Sequence, residues 1–328
     1  MSNKVDLRKV AIIGCGFVGS ATAFALMQSG LFSEMVLIDV DYNKAEGEAL
    51  DISHGMPFAK PMNIYAGSYD DIADAAIIVV TAGANQKPGE TRLDLVHKNV
   101  QIFRQIMPEI AARDCQGILL VVSNPVDILT YAAIKLSGMP ENRVIGSGTV
   151  LDTARLRYLL GRHLEIDSRS IHAYIIGEHG DSEIAAWSAA NVSGVSLTDY
   201  CCSRGHEDQL SQLSQIAETV KNSAYEIIAK KHATYYGIAM STKRICEAII
   251  RDEKSILPIS SLIRHHYGLD EVALSLPAIV GANGVEGMIP LRLSVDEHAR
   301  LVESACILQD VLRQEFPATD QVPDQAEE

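Results

Sequence analysis

Short apolar runs alternate along the chain with longer stretches in which apolar residues recur every three or four positions. The runs Lys9–Ile13, Glu34–Ile38, Ala76–Thr81, Ile118–Ser123 and Arg143–Gly146 predict strands, and Phe17–Gln28, Asp94–Ala112 and Val126–Leu136 carry helical periodicity. Strands that are apolar along their length and alternate with helices predict an α/β fold, a doubly wound parallel sheet covered on both faces. Ligands of such sheets lie beyond the carboxyl ends of the strands, which selects Gly83–Arg92, Asn124–Asp127 and Ser147–Arg155. Past about Val150 the alternation weakens. Helical patterns span Asp208–Lys231 and about Asp296–Gln314, while Leu257–Leu293 holds strand-like runs broken by glycine and proline, which suits antiparallel strands. These shifts predict a first domain over residues 1–149 and an α+β substrate-binding domain over 150–328. The acidic tail Pro317–Glu328 is predicted to be disordered at its end.

The first apolar run feeds Gly14, Gly16 and Gly19, a G-x-G-x-x-G opening a predicted helix. That spacing allows a tight turn, close approach of backbone to a pyrophosphate, and a helix N-terminus aimed at its charge. The second strand ends at Asp39, 20 residues beyond the last glycine. A carboxylate there can accept both adenosine ribose hydroxyls and would repel a 2′-phosphate. Together these features predict a Rossmann dinucleotide-binding domain that takes NAD.

Composition narrows the function. Hydrophobic residues are 47% and charged residues 21% of 328, an ordinary globular balance, and no run approaches the ~18 apolar residues of a membrane span. The charged N-terminus shows no apolar signal segment, and the six cysteines have neither metal-type spacing nor a disulfide framework. A cytoplasmic protein without a metal is expected. With 42 acidic against 28 basic side chains and a formal charge of −14, nonspecific nucleic-acid binding is disfavoured. An anionic small substrate would need specific arginines to overcome the global field.

Four places carry candidate chemistry. Ile171–Ile176 reads as a short buried strand entering a polar turn, with His179 between Gly177 and Gly180. Such a histidine either bonds its loop neighbours or is presented to a ligand for proton transfer near neutral pH. In LDTARLR, Asp152 and Arg155 share a helix face. They form either a structural pair, or a support for His179 together with a fork for a substrate carboxylate. Arg92 ends a loop containing glycine and proline, and is either solvated or carried onto a reacting carbonyl by loop closure. Asn124, past a strand end, can donate to a carbonyl or a carboxamide, and Pro125 after it suits a rigid turn, cis or trans.

GCGFVGS, TAGANQKPGETRLDL, SNPVDI, LDTARLR, GEHGDSE and ATYYGIA stand in an order and spacing that resemble the lactate/malate dehydrogenase family, over roughly Lys9–Gln314. The resemblance implies His179 as proton donor and acceptor, Asp152 as its partner, Arg155 as carboxylate clamp and Arg92 as the polarising arginine. It implies Asn124 and Thr234 as substrate-lining groups. For NAD it points to Val18, Asp39, Lys44, Tyr69, Gly83, Ala84 and Ser147, with Ile238 against the nicotinamide. Gln86 occupies the loop position where malate-type relatives carry an arginine for a second carboxylate, so the resemblance favours L-lactate dehydrogenase chemistry on pyruvate. Arg157 and His172 match the effector positions of bacterial members activated by fructose 1,6-bisphosphate, which implies a homotetramer whose response strengthens as His172 protonates. One departure is Ile184-Ala185-Ala186-Trp187, where the family often has Leu-Pro-x-Trp. The rival readings are a malate or branched 2-hydroxy acid dehydrogenase, and a dinucleotide-binding protein that kept the fold without catalysis.

Overall fold

The computed structural model of the chain describes residues 5–85, 89–205 and 207–317. Six parallel strands form its first half: β1 (Asp6–Ile13), β2 (Glu34–Ile38), β3 (Asn63–Ala66), β4 (Ala75–Val80), β5 (Ile118–Val121) and β6 (Val144–Gly146). Their spatial order is β3-β2-β1-β4-β5-β6, the arrangement of a doubly wound dinucleotide fold. Helices α1 (Phe17–Ser29), α2 (Tyr42–Ser53), α3 (Arg92–Ala111) and α4 (Val126–Ser137) connect strands, and α5 (Val150–His163) leaves the sheet after β6. All six residues of β4 are buried, as a central strand covered on both faces requires. Phe103 and Met107 of α3 and Leu26 of α1 are fully buried beside it, each contributing about 1.5–3 kcal/mol by leaving water.

The second half holds short strands β7 (Ile171–His172), β8 (Ile175–Ile176), β9 (Ile184–Ala185), β10 (Asn191–Val192) and β11 (Val195–Ser196). They are followed by α6 (Leu197–Ser203), α7 (Leu213–Lys231), α8 (Tyr236–Ile250), β12 (Ser255–Ile263), β13 (Val272–Gly281), β14 (Gly284–Met288) and α9 (Val295–Glu315). The antiparallel strands expected around Leu257–Leu293 are present as β12–β14. They do not form a separate sheet: Ser260 of β12 pairs antiparallel with Gly146 of β6, giving nine strands in one sheet among the described residues.

The sequence reading differs from the structure in three further places. The single strand expected over Ile171–Ile176 is two, because β7 pairs with β10 while β8 pairs with β9 in a different sheet. Arg92 is not in the loop but opens α3, capped by Thr91. The first turns of the helix expected from Asp208 are 3-10, and α7 begins at Leu213. Most of the acidic tail, from residue 318 on, lies outside the described residues. No helix of the described chain is long and apolar enough to cross a membrane.

Candidate active site

The turn that carries His179 is held from two sides. Gly177 adopts φ +86°, a region open to glycine without strain, and its N–H and C=O both bond Ser275 of β13 at 2.9 Å. From the other side, Ser304 of α9 accepts from the Glu178 N–H at 2.9 Å and lies 2.8 Å from the Ser182 hydroxyl. The His179 N–H donates to Asp127 Oδ2 at 2.7 Å, and the other Asp127 oxygen accepts from Ser260 Oγ at 2.6 Å. Asp127 is fully buried in the first turn of α4; burial pushes its carboxyl up to about 6, against the pull of those two bonds. The backbone of His179 is thereby fixed and its ring left free for other work.

That ring meets Asp152. Asp152 sits in the first turn of α5, where the helix dipole favours a carboxylate. Its Oδ2 lies 2.5 Å from His179 Nδ1 and its Oδ1 accepts from Arg155 Nη1 at 2.8 Å. Its side chain is only 3% exposed. Burial opposes ionisation, but His179 first and then Arg155 hold the carboxyl below its ordinary range. Burial would likewise lower the imidazole, yet the Asp152 charge and hydrogen bond, helped by Asp127 and Glu183, raise His179 to about 9. With Nδ1 committed to Asp152, Nε2 is the atom available to a ligand. One carboxylate thus pairs with Arg155 and supports His179 at the same time.

His179, Asp152, Arg155, Asn124 and Arg92 line one cavity of about 250 Å³, closed by Lys221, Ala224, Tyr225 and Ile228 of α7. Asn124 is joined to Pro125 by a cis peptide. Arg92 reaches the cavity from the start of α3, where its guanidinium is engaged by Glu178 and, at 3.0 Å, by Asp181. A Cβ on Gly180 would stand 2.8 Å from Arg92 Nη2, so glycine there leaves the arginine its path. Thr234 lies between α7 and α8, outside the residues lining this cavity. Gln86 lies outside the described residues. Arg157 faces away from the cavity, with Nε donating to Ala173 O at 3.1 Å and its guanidinium 5.2 Å over the Tyr174 ring. His172 is exposed on β7.

The two halves of the chain match two family models: residues 8–146 the lactate/malate dehydrogenase NAD binding domain, and residues 149–318 the lactate/malate dehydrogenase alpha/beta C-terminal domain. The chain belongs to the lactate/malate dehydrogenase family. An L-lactate dehydrogenase of Acetivibrio thermocellus is 53% identical over 315 residues, 95% of this chain and 99% of the relative. L-lactate dehydrogenase 1 of Clostridium acetobutylicum is 54% identical over 93% of this chain and 97% of its own length. Among solved structures, the minor L-lactate dehydrogenase of Enterococcus mundtii in its ligands-bound form superposes with a TM-score of 0.91 at 45% identity, covering 96% of this chain and 99% of that one.

The family's NAD site fits the residues present. Gly14 takes φ +102°, and a Cβ on Gly19 would lie 1.9 Å from Gly14 O, so the turn and α1 touch backbone to backbone. At Gly16 a Cβ would meet nothing within 4 Å. Gly16 caps α1 without a side-chain bond, and the first turn of α1 carries no acidic residue, leaving N–H groups for a pyrophosphate. Asp39 directly follows β2 and accepts from Cys15 N at 2.6 Å and Asp41 N at 3.0 Å, while a carboxylate retains further lone pairs for ribose hydroxyls. Lys44 is exposed on α2 nearby, and Ser147 is buried just past β6. Val18 and Ile238 pack on the same core cluster where α1 runs along α8. Tyr69 has other neighbours: its ring lies 5.8 Å under Arg113, beyond the end of α3 remote from Arg92.

Sequence reasoning missed several members of the site. Buried Asn99 of α3 accepts from Ala84 N at 2.7 Å and donates to Asn124 O at 2.7 Å, tying the segment of Gly83 and Ala84 to the Asn124 turn. Thr81 Oγ1 donates to Gly14 O at 2.6 Å. Asp127, Asp181, Glu183 and Tyr225 also went unread. Asp127 stood inside a quoted motif, but nothing local in SNPVD reveals a bond to an amide 52 residues on.

Proposed function

We propose that this chain is an NAD-dependent L-lactate dehydrogenase that interconverts pyruvate and L-lactate. The observation that carries it is Asp152, one carboxylate holding an imidazole and a guanidinium at the wall of a cavity sized for a small acid. Arg155 receives the substrate carboxylate through its forked donors. Fixed by that grip, the keto oxygen meets His179 Nε2, which holds the proton that the new hydroxyl requires, while Asp152 steadies the imidazolium. Arg92, exchanging its contacts with Glu178 and Asp181 for the keto oxygen, stabilises the charge that develops there. Asn124 completes the lining, and Thr234, which stands outside it between α7 and α8, is proposed to meet the substrate from that turn. The glycine turn and Ile238 would hold NADH, which when bound would supply the hydride. Val18, Asp39, Lys44, Gly83, Ala84 and Ser147 are the proposed holders of the cofactor; Tyr69, packed beneath Arg113, is left out of this set.

Gln86 favours pyruvate over oxaloacetate, since a neutral amide would leave a second carboxylate unpaired in a water-poor site. NADH oxidation followed by absorbance with pyruvate, oxaloacetate and a branched 2-oxo acid tests this. Pyruvate is expected to be strongly preferred, and Gln86→Arg to move preference toward oxaloacetate. Equal wild-type turnover of oxaloacetate would contradict it.

We further infer that fructose 1,6-bisphosphate activates the enzyme through Arg157 and His172, and that it works as a homotetramer in the cytoplasm. Two features support this: a partly desolvated guanidinium is a ready partner for phosphate, and Phe17, Phe24, Tyr236 and Met240 expose apolar surface on the adjoining helices α1 and α8.

A further inference from the structure

Glu183 follows the His179 turn and lies against the substrate cavity without a part in the steps above. It is 9% exposed, and its Oε1 is buried with no hydrogen-bond partner among the described residues. Donor atoms of Glu183, Asp152 and His179 lie within 4.8 Å of one another. Such a span would admit a cation, but both Asp152 oxygens are already committed, to Arg155 and to His179. Glu183 also lines a second cavity of about 330 Å³ with Arg300 and Glu303 of α9. The other charged or titratable groups around these cavities are Arg92 of α3, Arg155 of α5, Lys221 and Tyr225 of α7, and Glu178 and Asp181 of its own turn. Asp127 of α4 lies behind His179.

Two carboxylates this close in a desolvated site do not both ionise readily. Asp152 keeps its charge because two cations hold it. Glu183 has neither bond, so burial first and then Asp152 push it up to about 8, against the weaker pull of His179, Arg155 and Lys221.

We propose that Glu183 is a positioning residue that carries a proton whenever the 2-oxo acid anion is bound, and that its ionisation, together with that of His179, ends substrate binding on the alkaline side. This rests on the pyruvate reading above. A substrate carboxylate on Arg155 adds another negative charge to the cluster, and a neutral Glu183 leaves Arg155 and protonated His179 in excess over Asp152. Where free Glu183 is ionised, binding must therefore draw a proton onto it. Protonation of His179 adds a second uptake at higher pH.

The test is calorimetric titration of the full-length enzyme with NADH bound, using oxamate, an unreactive anion of pyruvate's shape. Measurements from about pH 7 to about pH 9.5, in buffers of different ionisation enthalpy, count the protons taken up per oxamate. Wild type is expected to climb past one proton above about pH 9, its affinity then falling more than about tenfold per pH unit. Glu183→Gln is expected to stay at or below one proton, with its NADH affinity verifying an intact fold. A purely structural Glu183 would weaken oxamate equally at every pH and leave the count unchanged, which would overturn the proposal. So would a wild-type count of one or less throughout, a result that needs no variant. Failure of oxamate to bind at any pH would overturn the pyruvate reading, and this proposal with it.

Discussion

In the proposed mechanism Asp152 joins proton transfer to substrate recognition, because its two oxygens serve His179 and Arg155 separately. Removing either partner should therefore give different defects. Arg155→Leu removes the charged fork and is expected to raise the pyruvate KM by about a hundredfold or more, since truncating one member of a buried charged pair costs about 2–5 kcal/mol. NADH affinity, measured by fluorescence, should stay near wild type. The raised His179 sets the pH response. Its protonated form is favoured in the folded chain, so its contribution to stability is full below the ordinary histidine range and is lost as pH rises through about 9. In the proposed mechanism pyruvate reduction draws on that protonated form and is expected to fall through the same window, while lactate oxidation draws on the neutral ring and should rise. Initial rates in both directions across that window check the signs. His179, Asp152, Arg155 and Arg92 were legible in sequence because each stands in a motif whose residue types match a chemical task. Asp127, Asn99 and Glu183 were not, since their roles depend on partners that only the fold brings near.

At the scale of elements, the start of α3 is where local structure meets function. Thr91 Oγ1 accepts from the Asp94 N–H at 3.1 Å, and the Asp94 carboxylate accepts from the Thr91 N–H at 2.9 Å, a reciprocal cap directly before Arg92. Thr91→Ala should cost about 1 kcal/mol and loosen the turn that aims the arginine. Expected are a modest fall in Tm and a larger fall in kcat than in NADH affinity; unchanged kcat beside a lowered Tm would separate the cap from catalysis. Long helices and wholly apolar strands were readable because their periodicity extends over many residues. The edge strand β3 did not announce itself because only Ile64 of its four residues is buried, leaving no apolar run. The split of Ile171–Ile176 depends on which distant strands take each half, and the joining of β12 to β6 rests on one residue pair; neither is visible in local pattern.

For the whole molecule, the formal charge of −14 makes any anion site a local exception. The cavity of the proposed active site gathers Arg92, Arg155 and Lys221 for this. The proposed effector site needs a second exception around Arg157 and His172. Pyruvate saturation with fructose 1,6-bisphosphate is expected to show a lower apparent KM than without it, more so at lower pH, and Arg157→Gln should abolish the difference. Indifference of the wild type to the sugar bisphosphate at every pH would remove the effector from the account. The continuous nine-stranded sheet gives both halves one scaffold: β13 braces the turn of His179, and β6 leads into the helix of Asp152 and Arg155.

The central claim is that Asp152-supported His179 moves the proton in 2-oxo acid reduction. Single-turnover oxidation of bound NADH by pyruvate in His179→Asn tests it most directly. NADH should bind as in wild type while the rate falls by ~10²–10⁴-fold. A rate within a few fold of wild type would contradict the assignment of His179 and, with it, the role given to Asp152.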